Sequence, residues 1–185
     1  DILEEKKCRE FSKKIVVFDD LANRKHDCDF LVDVSLERKV SDYSKLTPKK
    51  CNLFLGPEYA PLKESFHKLR KKVSTRKRKY IKKILLCFGG TDPHDLTSLT
   101  ISSLEKFNNI DEVSIVLNRL SSNFDKIQKV VSSNKKYKLI ADKIDLSSDF
   151  FSADLCVGAC GFSSWERCYL GLPTLVIVTA ENQRF

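Results

Sequence analysis

Two glycine-bearing segments carry residue types suited to holding a phosphate. The first, Phe88-Gly89-Gly90-Thr91-Asp92-Pro93-His94, follows the apolar run Ile84-Leu85-Leu86-Cys87. The second, Gly158-Ala159-Cys160-Gly161-Phe162-Ser163-Ser164-Trp165-Glu166, follows Leu155-Cys156-Val157 and is closed by Gly171-Leu172-Pro173. A strand that passes through glycines straight into a helix brings bare backbone N–H groups to one spot, where they favour an anion. Two such turns on one sheet imply a nucleotide site. Gly158 and Gly161 leave little side-chain bulk for a diphosphate to meet, and the N–H groups around Ser163 and Ser164 are its donors. Ser163-x-x-Glu166 also has the spacing of a capping box, although capping alone does not require the small residues before it. In the first turn, Asp92 reads as a helix N-cap with Pro93 at the first helical position and Asp95 complementing the dipole. His94 fits an exposed helix position better than an acid or base.

The elements that must position these turns alternate. Apolar runs over 14–18, 30–34 and 52–55 read as buried parallel strands, and Leu62, Phe66 and Leu69 carry helical spacing. After a basic stretch comes a second series, with strands over 84–88, 112–117, 137–140, 154–157 and 174–178. Helices are expected over 95–107, 123–131 and 164–170. Strands and helices in this alternation predict α/β architecture, a parallel sheet with helices on both faces.

Composition narrows the class. With 185 residues, 42% hydrophobic and 10% aromatic, the chain can bury a core and is neither disordered nor fibrous. No apolar run approaches the roughly 18 residues of a membrane span, and residues 1–20 lack a signal-peptide layout, so a cytoplasmic protein is expected. The seven cysteines show no Cys-x-x-Cys spacing, which favours free thiols. The cluster His26-Asp27-Cys28-Asp29 reads as a polar turn, and no metal site is expected. The formal net charge of +8 is concentrated between His67 and Lys83. With Tyr80 as the one interleaved aromatic and no nucleic-acid motif around it, this run reads as a helix end plus a solvated connection between domains. The opening residues 1–12 look like the last turns of a helix, and the chain stops beyond a strand where a doubly wound domain adds a closing helix. A fragment is expected.

Taken in order, Phe18-Asp19-Asp20-Leu21-Ala22-Asn23-Arg24-Lys25-His26-Asp27-Cys28-Asp29, Cys51-Asn52-Leu53-Phe54-Leu55-Gly56-Pro57-Glu58-Tyr59-Ala60-Pro61-Leu62, Phe88-Gly89-Gly90-Thr91-Asp92-Pro93 and Gly158-Ala159-Cys160-Gly161-Phe162-Ser163-Ser164-Trp165-Glu166-Arg167-Cys168 resemble the UDP-sugar hydrolases of the pseudaminic acid pathway. Gly171-Leu172-Pro173 and Glu181-Asn182-Gln183 continue the likeness. The resemblance implies two Rossmann-like domains of the glycosyltransferase-B type, both truncated here. Residues 1–75 would be the C-terminal half of the N-terminal domain, 76–83 a basic linker and 84–185 the UDP-binding domain. It implies hydrolysis of a UDP-linked diacetamido-trideoxyhexose by water attack at the anomeric carbon, with no cofactor. The partner is the UDP-sugar substrate, with no nucleic acid or membrane partner and a monomeric state. The family's general-base histidine follows a glycine, and this chain has no glycine-histidine pair. By the same resemblance Gly89, Gly90 and Thr91 face the cleft and Glu166 accepts from the ribose hydroxyls. Asn182 is the catalytic-site residue that acts on the sugar. The chain departs from the family at Asn118 and at Cys160, where glycine is usual. A nucleotide-sugar glycosyltransferase and a non-catalytic binding protein are the alternatives.

Overall fold

The computed structural model describes residues 1–183, the side chain of Asn182 excepted. The chain divides into two compact units, Asp1–Pro61 and Leu62–Phe185. The division falls earlier than the boundary at residue 75 expected from the sequence. Leu62, Phe66, Leu69 and Val73 pack against Leu85, Phe150 and Leu170, so this segment completes the second unit's core.

The first unit has a helix, α1 (Ile2–Arg9), and a parallel sheet of β1 (Val16–Phe18), β2 (Phe30–Asp33) and β3 (Asn52–Leu55), with α2 (Val40–Tyr43) between the last two. Alternation along β1 and β2 turns Val17 and Leu31 into a small core with Ile15, Cys28 and Tyr43. A buried polar network lies beside it. His26 Nδ1 is 3.0 Å from Glu5 Oε1, and Glu5 also accepts from the Asp27 N–H at 2.6 Å. The Tyr43 hydroxyl lies 2.8 Å from Asp19 Oδ2 and 2.7 Å from Asp33 Oδ2. Asp27 and Asp29 pair with Arg9, and Cys28 Sγ lies 3.5 Å from Cys51 Sγ. The four residues of the His26–Asp29 cluster are thus all engaged by other residues of the unit. Burial opposes ionisation of Glu5 and Asp19, but their hydrogen bonds outweigh it and hold both below the ordinary carboxylate range. The Arg9 guanidinium holds Asp29 well below that range.

The second unit opens with α3 (Glu64–Arg70) and continues β4 (Lys83–Cys87), α4 (Leu96–Leu104), β5 (Glu112–Leu117), α5 (Phe124–Ser133), β6 (Tyr137–Ala141), α6 (Ser147–Ser152), β7 (Leu155–Ala159), α7 (Ser163–Tyr169) and β8 (Thr174–Ile177). Its five strands are all parallel, in the order β6-β5-β4-β7-β8. Central β4 is buried on both faces: Ile84 and Leu86 enter one core with Ile101, Val113, Ile115 and Ile127, and Leu85 and Cys87 the other with Phe66, Phe150 and Leu170. A continuous apolar run is what such a strand requires.

Two local expectations are corrected, and one helix is added. Helix α4 starts three residues after Pro93, not at it; Asp92, in a left-handed conformation (φ 41°), reaches forward so that its carboxylate accepts from the Leu96 and Thr97 N–H groups at 3.0 and 2.8 Å. The basic run is anchored and not solvated throughout: Arg76 donates to the Ser152 carbonyl and pairs with Asp154, Arg78 donates to the Ala153 and Gly171 carbonyls, and Asp154 accepts the Lys82 and Lys83 N–H groups. It is the lead-in to β4. Helix α6, unread in the sequence, is too short to show a period; it is held by Asp145, which accepts the Ser147 N–H at 2.9 Å, and by buried Phe150.

Candidate functional site

In the second unit the chain winds outward from β4 through β5 to β6, then returns to place β7 on the other side of β4. The crevice beyond the carboxyl ends of β4 and β7 is therefore the topological switch point, where open α/β sheets take ligands because the flanking loops diverge. The register pairs Cys87 with Gly158, so the Gly89-Gly90-Thr91 turn and the Cys160-Gly161-Phe162 turn leave adjacent strands side by side. The two segments singled out from the sequence meet here.

The glycines divide by what surrounds them. Gly89 has φ 91°, which favours glycine, and a Cβ added there or at Gly161 would meet nothing within 4 Å. A Cβ at Gly90 would lie 3.4 Å from Asn118 Cβ, and the Asn118 N–H donates to the Gly90 carbonyl at 2.8 Å. Gly158 differs: its Cβ would sit 2.4 Å from the Cys87 carbonyl oxygen and 2.6 Å from Arg167 Nη1. Its space is filled by protein, so Gly158 serves packing beneath the turn, whereas Gly89 and Gly161 are bare toward open space.

No capping box forms at α7. Phe162 precedes the helix without a side-chain cap, Ser163 is the first helical residue, and the Glu166 carboxylate accepts no hydrogen bond among the described residues. Burial pushes the Glu166 carboxyl above its ordinary value, although the charges of Lys63 and Arg167 pull the other way. A half-buried carboxylate without a donor is an unfilled acceptor at the site. Ser164 Oγ accepts from Arg167 Nη2 at 2.8 Å, and Ser163 lies against the Cys87 thiol, whose pKa burial raises. The Cys160, Gly161 and Phe162 N–H groups donate to no described residue. Thr91 is exposed, and its carbonyl accepts the Ser121 hydroxyl at 2.7 Å. His94 is exposed. Asn182 belongs to a 3-10 turn, Glu181–Gln183, just beyond β8, and its side chain lies outside the described residues.

Sequence reasoning overlooked Arg167, 1% exposed under the second turn, and Lys63, whose Nζ donates to the Ile144 carbonyl at 2.5 Å while its charge acts on Glu166. The signal for Arg167 was its i,i+3 spacing from Ser164, which puts both on one face of α7. Lys63 is far away in sequence and gave none.

No protein-family model matches the chain. Over 97% of its length it is 31% identical to an uncharacterized protein of Methanocaldococcus jannaschii, covering 38% of that protein. Over 70% of its length it is 35% identical to the UDP-2,4-diacetamido-2,4,6-trideoxy-beta-L-altropyranose hydrolase of Campylobacter jejuni, covering 44% of it. Over 71% it is 25% identical to the spore coat polysaccharide biosynthesis protein SpsG of Bacillus subtilis, covering 39%. The chain thus spans between 38% and 44% of the length of these curated relatives. Among solved structures it is similar to WaaG, a glycosyltransferase involved in lipopolysaccharide biosynthesis, with a TM-score of 0.47 and 14% identity over 94% of this chain and 62% of that one. No helix among the described residues is long and apolar enough to cross a membrane.

Proposed function

We propose that this chain is part of a sugar-nucleotide enzyme whose second unit holds UDP at the crevice between β4 and β7. The observation that carries this reading is the convergence of two open glycine turns and an unsatisfied carboxylate at the sheet's switch point. In this reading the diphosphate lies across Gly161 and the Cys160–Ser164 backbone. Glu166 accepts from the ribose hydroxyls, and Gly89, Gly90 and Thr91 line the sugar side. Two relatives, a UDP-sugar hydrolase and a polysaccharide-biosynthesis protein, support the same class of substrate.

The finer reading is hydrolysis of a UDP-linked diacetamido-trideoxyhexose to the free sugar and UDP, with Asn182 acting on the sugar or the attacking water. The two Rossmann-like units would then belong to a glycosyltransferase-B arrangement, and the base that activates water would be supplied by sequence this chain does not contain. A titration of the purified chain with UDP and uridine tests the nucleotide site: UDP should bind more tightly than uridine, and absence of UDP binding at millimolar concentration would remove the reading. Incubating the natural full-length polypeptide with the UDP-sugar tests the reaction. Release of UDP and free sugar in water fits hydrolysis; a requirement for an acceptor sugar would make the protein a glycosyltransferase.

A further inference from the structure

Arg167 is the largest fully buried side chain among the described residues. Its Nη2 donates to the Ala159 carbonyl and to Ser164 Oγ, both at 2.8 Å; Nη1 reaches only the weak acceptor Cys156 Sγ at 3.9 Å; Nε has no partner. The titratable groups facing it are Glu166 and the buried Cys87 and Cys156 thiols. None forms an ion pair with it among the described residues. A guanidinium taken out of water without a counter-anion costs the fold several kcal/mol, and an apolar side chain of similar volume would avoid that cost. The cation sits directly beneath the turn that carries the open glycine.

We infer that Arg167 is a positioning residue for the nucleotide's diphosphate, an inference that rests on the nucleotide reading above. The guanidinium fixes the polarity of the turn and provides the buried charge that the bound anion neutralises. By binding the Ala159 carbonyl it keeps that acceptor turned into the protein, away from the phosphate. By donating to Ser164 Oγ it occupies the hydroxyl as an acceptor, so the Ser164 proton is left to donate, and phosphate oxygens only accept. The unpaired Cys160, Gly161 and Phe162 N–H groups then present a set of donors with no competing acceptor. Gly158 is compatible with the same arrangement, since a Cβ there would meet the Cys87 carbonyl oxygen at 2.4 Å and the guanidinium at 2.6 Å. Charge at this depth acts through a low dielectric and is weakly screened, so it favours an anion at the surface without touching it.

The test is calorimetric titration of the chain and two variants with uridine, UDP and inorganic pyrophosphate. Arg167→Met keeps the volume and removes the charge; Arg167→Lys keeps a charge without the fork. The methionine variant should bind UDP and pyrophosphate about 10- to 100-fold more weakly, with uridine affinity unchanged, and its melting temperature without ligand should not fall. The lysine variant should recover part of the loss. A methionine variant that keeps the wild-type ratio of UDP to uridine affinity would overturn the inference and leave the nucleotide site standing. Failure of the unaltered chain to bind UDP would remove both. Should the methionine variant not fold, the Arg167 Nε–H resonance of the unaltered chain decides: it should shift on adding pyrophosphate, and an unmoved signal at saturation refutes the role.

Discussion

Glu166 combines a proposed site role and a stability cost in one side chain. Burial raises its carboxyl above the ordinary value near pH 4.3, so the folded state prefers the protonated form. The sign follows from linkage: the penalty for ionising it is absent well below pH 4 and fully present once the pH exceeds the raised value. At neutral pH Glu166→Gln removes that penalty and the charged acceptor together. Its melting temperature should therefore hold or rise, while UDP binding weakens by about 1–3 kcal/mol. Thermal melting and calorimetry on the same sample check this. Unchanged UDP affinity in the glutamine variant would remove Glu166 from the nucleotide site.

At the scale of the elements, the two glycines of the second turn should respond oppositely to one added methyl. Gly158→Ala places a Cβ 2.4 Å from a backbone carbonyl in the centre of the sheet, where neither strand can yield. It should cost at least about 1–3 kcal/mol or prevent folding. Gly161→Ala meets open space and should fold normally while lowering UDP affinity, because the methyl enters the volume assigned to the diphosphate. Urea melts and titrations separate the two outcomes. The contrast also marks how much the sequence disclosed. Strands β4 and β7 were legible because two-sided burial demands uninterrupted apolar runs, β5 because buried apolar residues alternate along it, and the first turn because the path at Gly89 (φ 91°) favours glycine. What was hidden depended on distance in the fold: Phe66 facing Phe150, the Arg76 anchor to Asp154, and the guanidinium under Gly158 join residues with no local signature. Local chemistry also misled. Asp92-Pro93 looks like a helix start, yet the aspartate caps from four and five residues away.

On the scale of the whole chain, the two units should differ in resistance to acid. The first has a small core and relies on Glu5, Asp19 and Asp29, all held below the ordinary carboxylate range. For such groups the stabilisation is complete above the unfolded values near pH 4 and is lost as the pH falls through the lowered folded ones. The second unit adds two larger cores to its own depressed carboxylates, among them Asp145, lowered to about 2 by the Ser147 hydroxyl and N–H. The single tryptophan, Trp165 in α7, reports the second unit alone. Acid titration from pH 7 toward pH 2 should therefore show loss of circular dichroism before the tryptophan emission changes. Coincident transitions would mean that the units unfold as one. The chain by itself should also bind UDP without releasing it from a UDP-sugar, because in the proposed mechanism the base lies elsewhere.

The parallel pairing of β4 with both β5 and β7 sets an order of assembly. Ile84 meets Val113 after one crossover, but it meets Leu155 only after β5, α5, β6 and α6 have been threaded between them. Closing the longer loop carries the larger entropic penalty and depends on contacts made earlier. On entropic grounds the β4–β7 crevice therefore forms after the β4–β5 pairing as the chain folds. If the crevice takes UDP as proposed, nucleotide binding should appear only after the β4–β5 pairing is in place, which stopped-flow refolding in the presence of UDP would check.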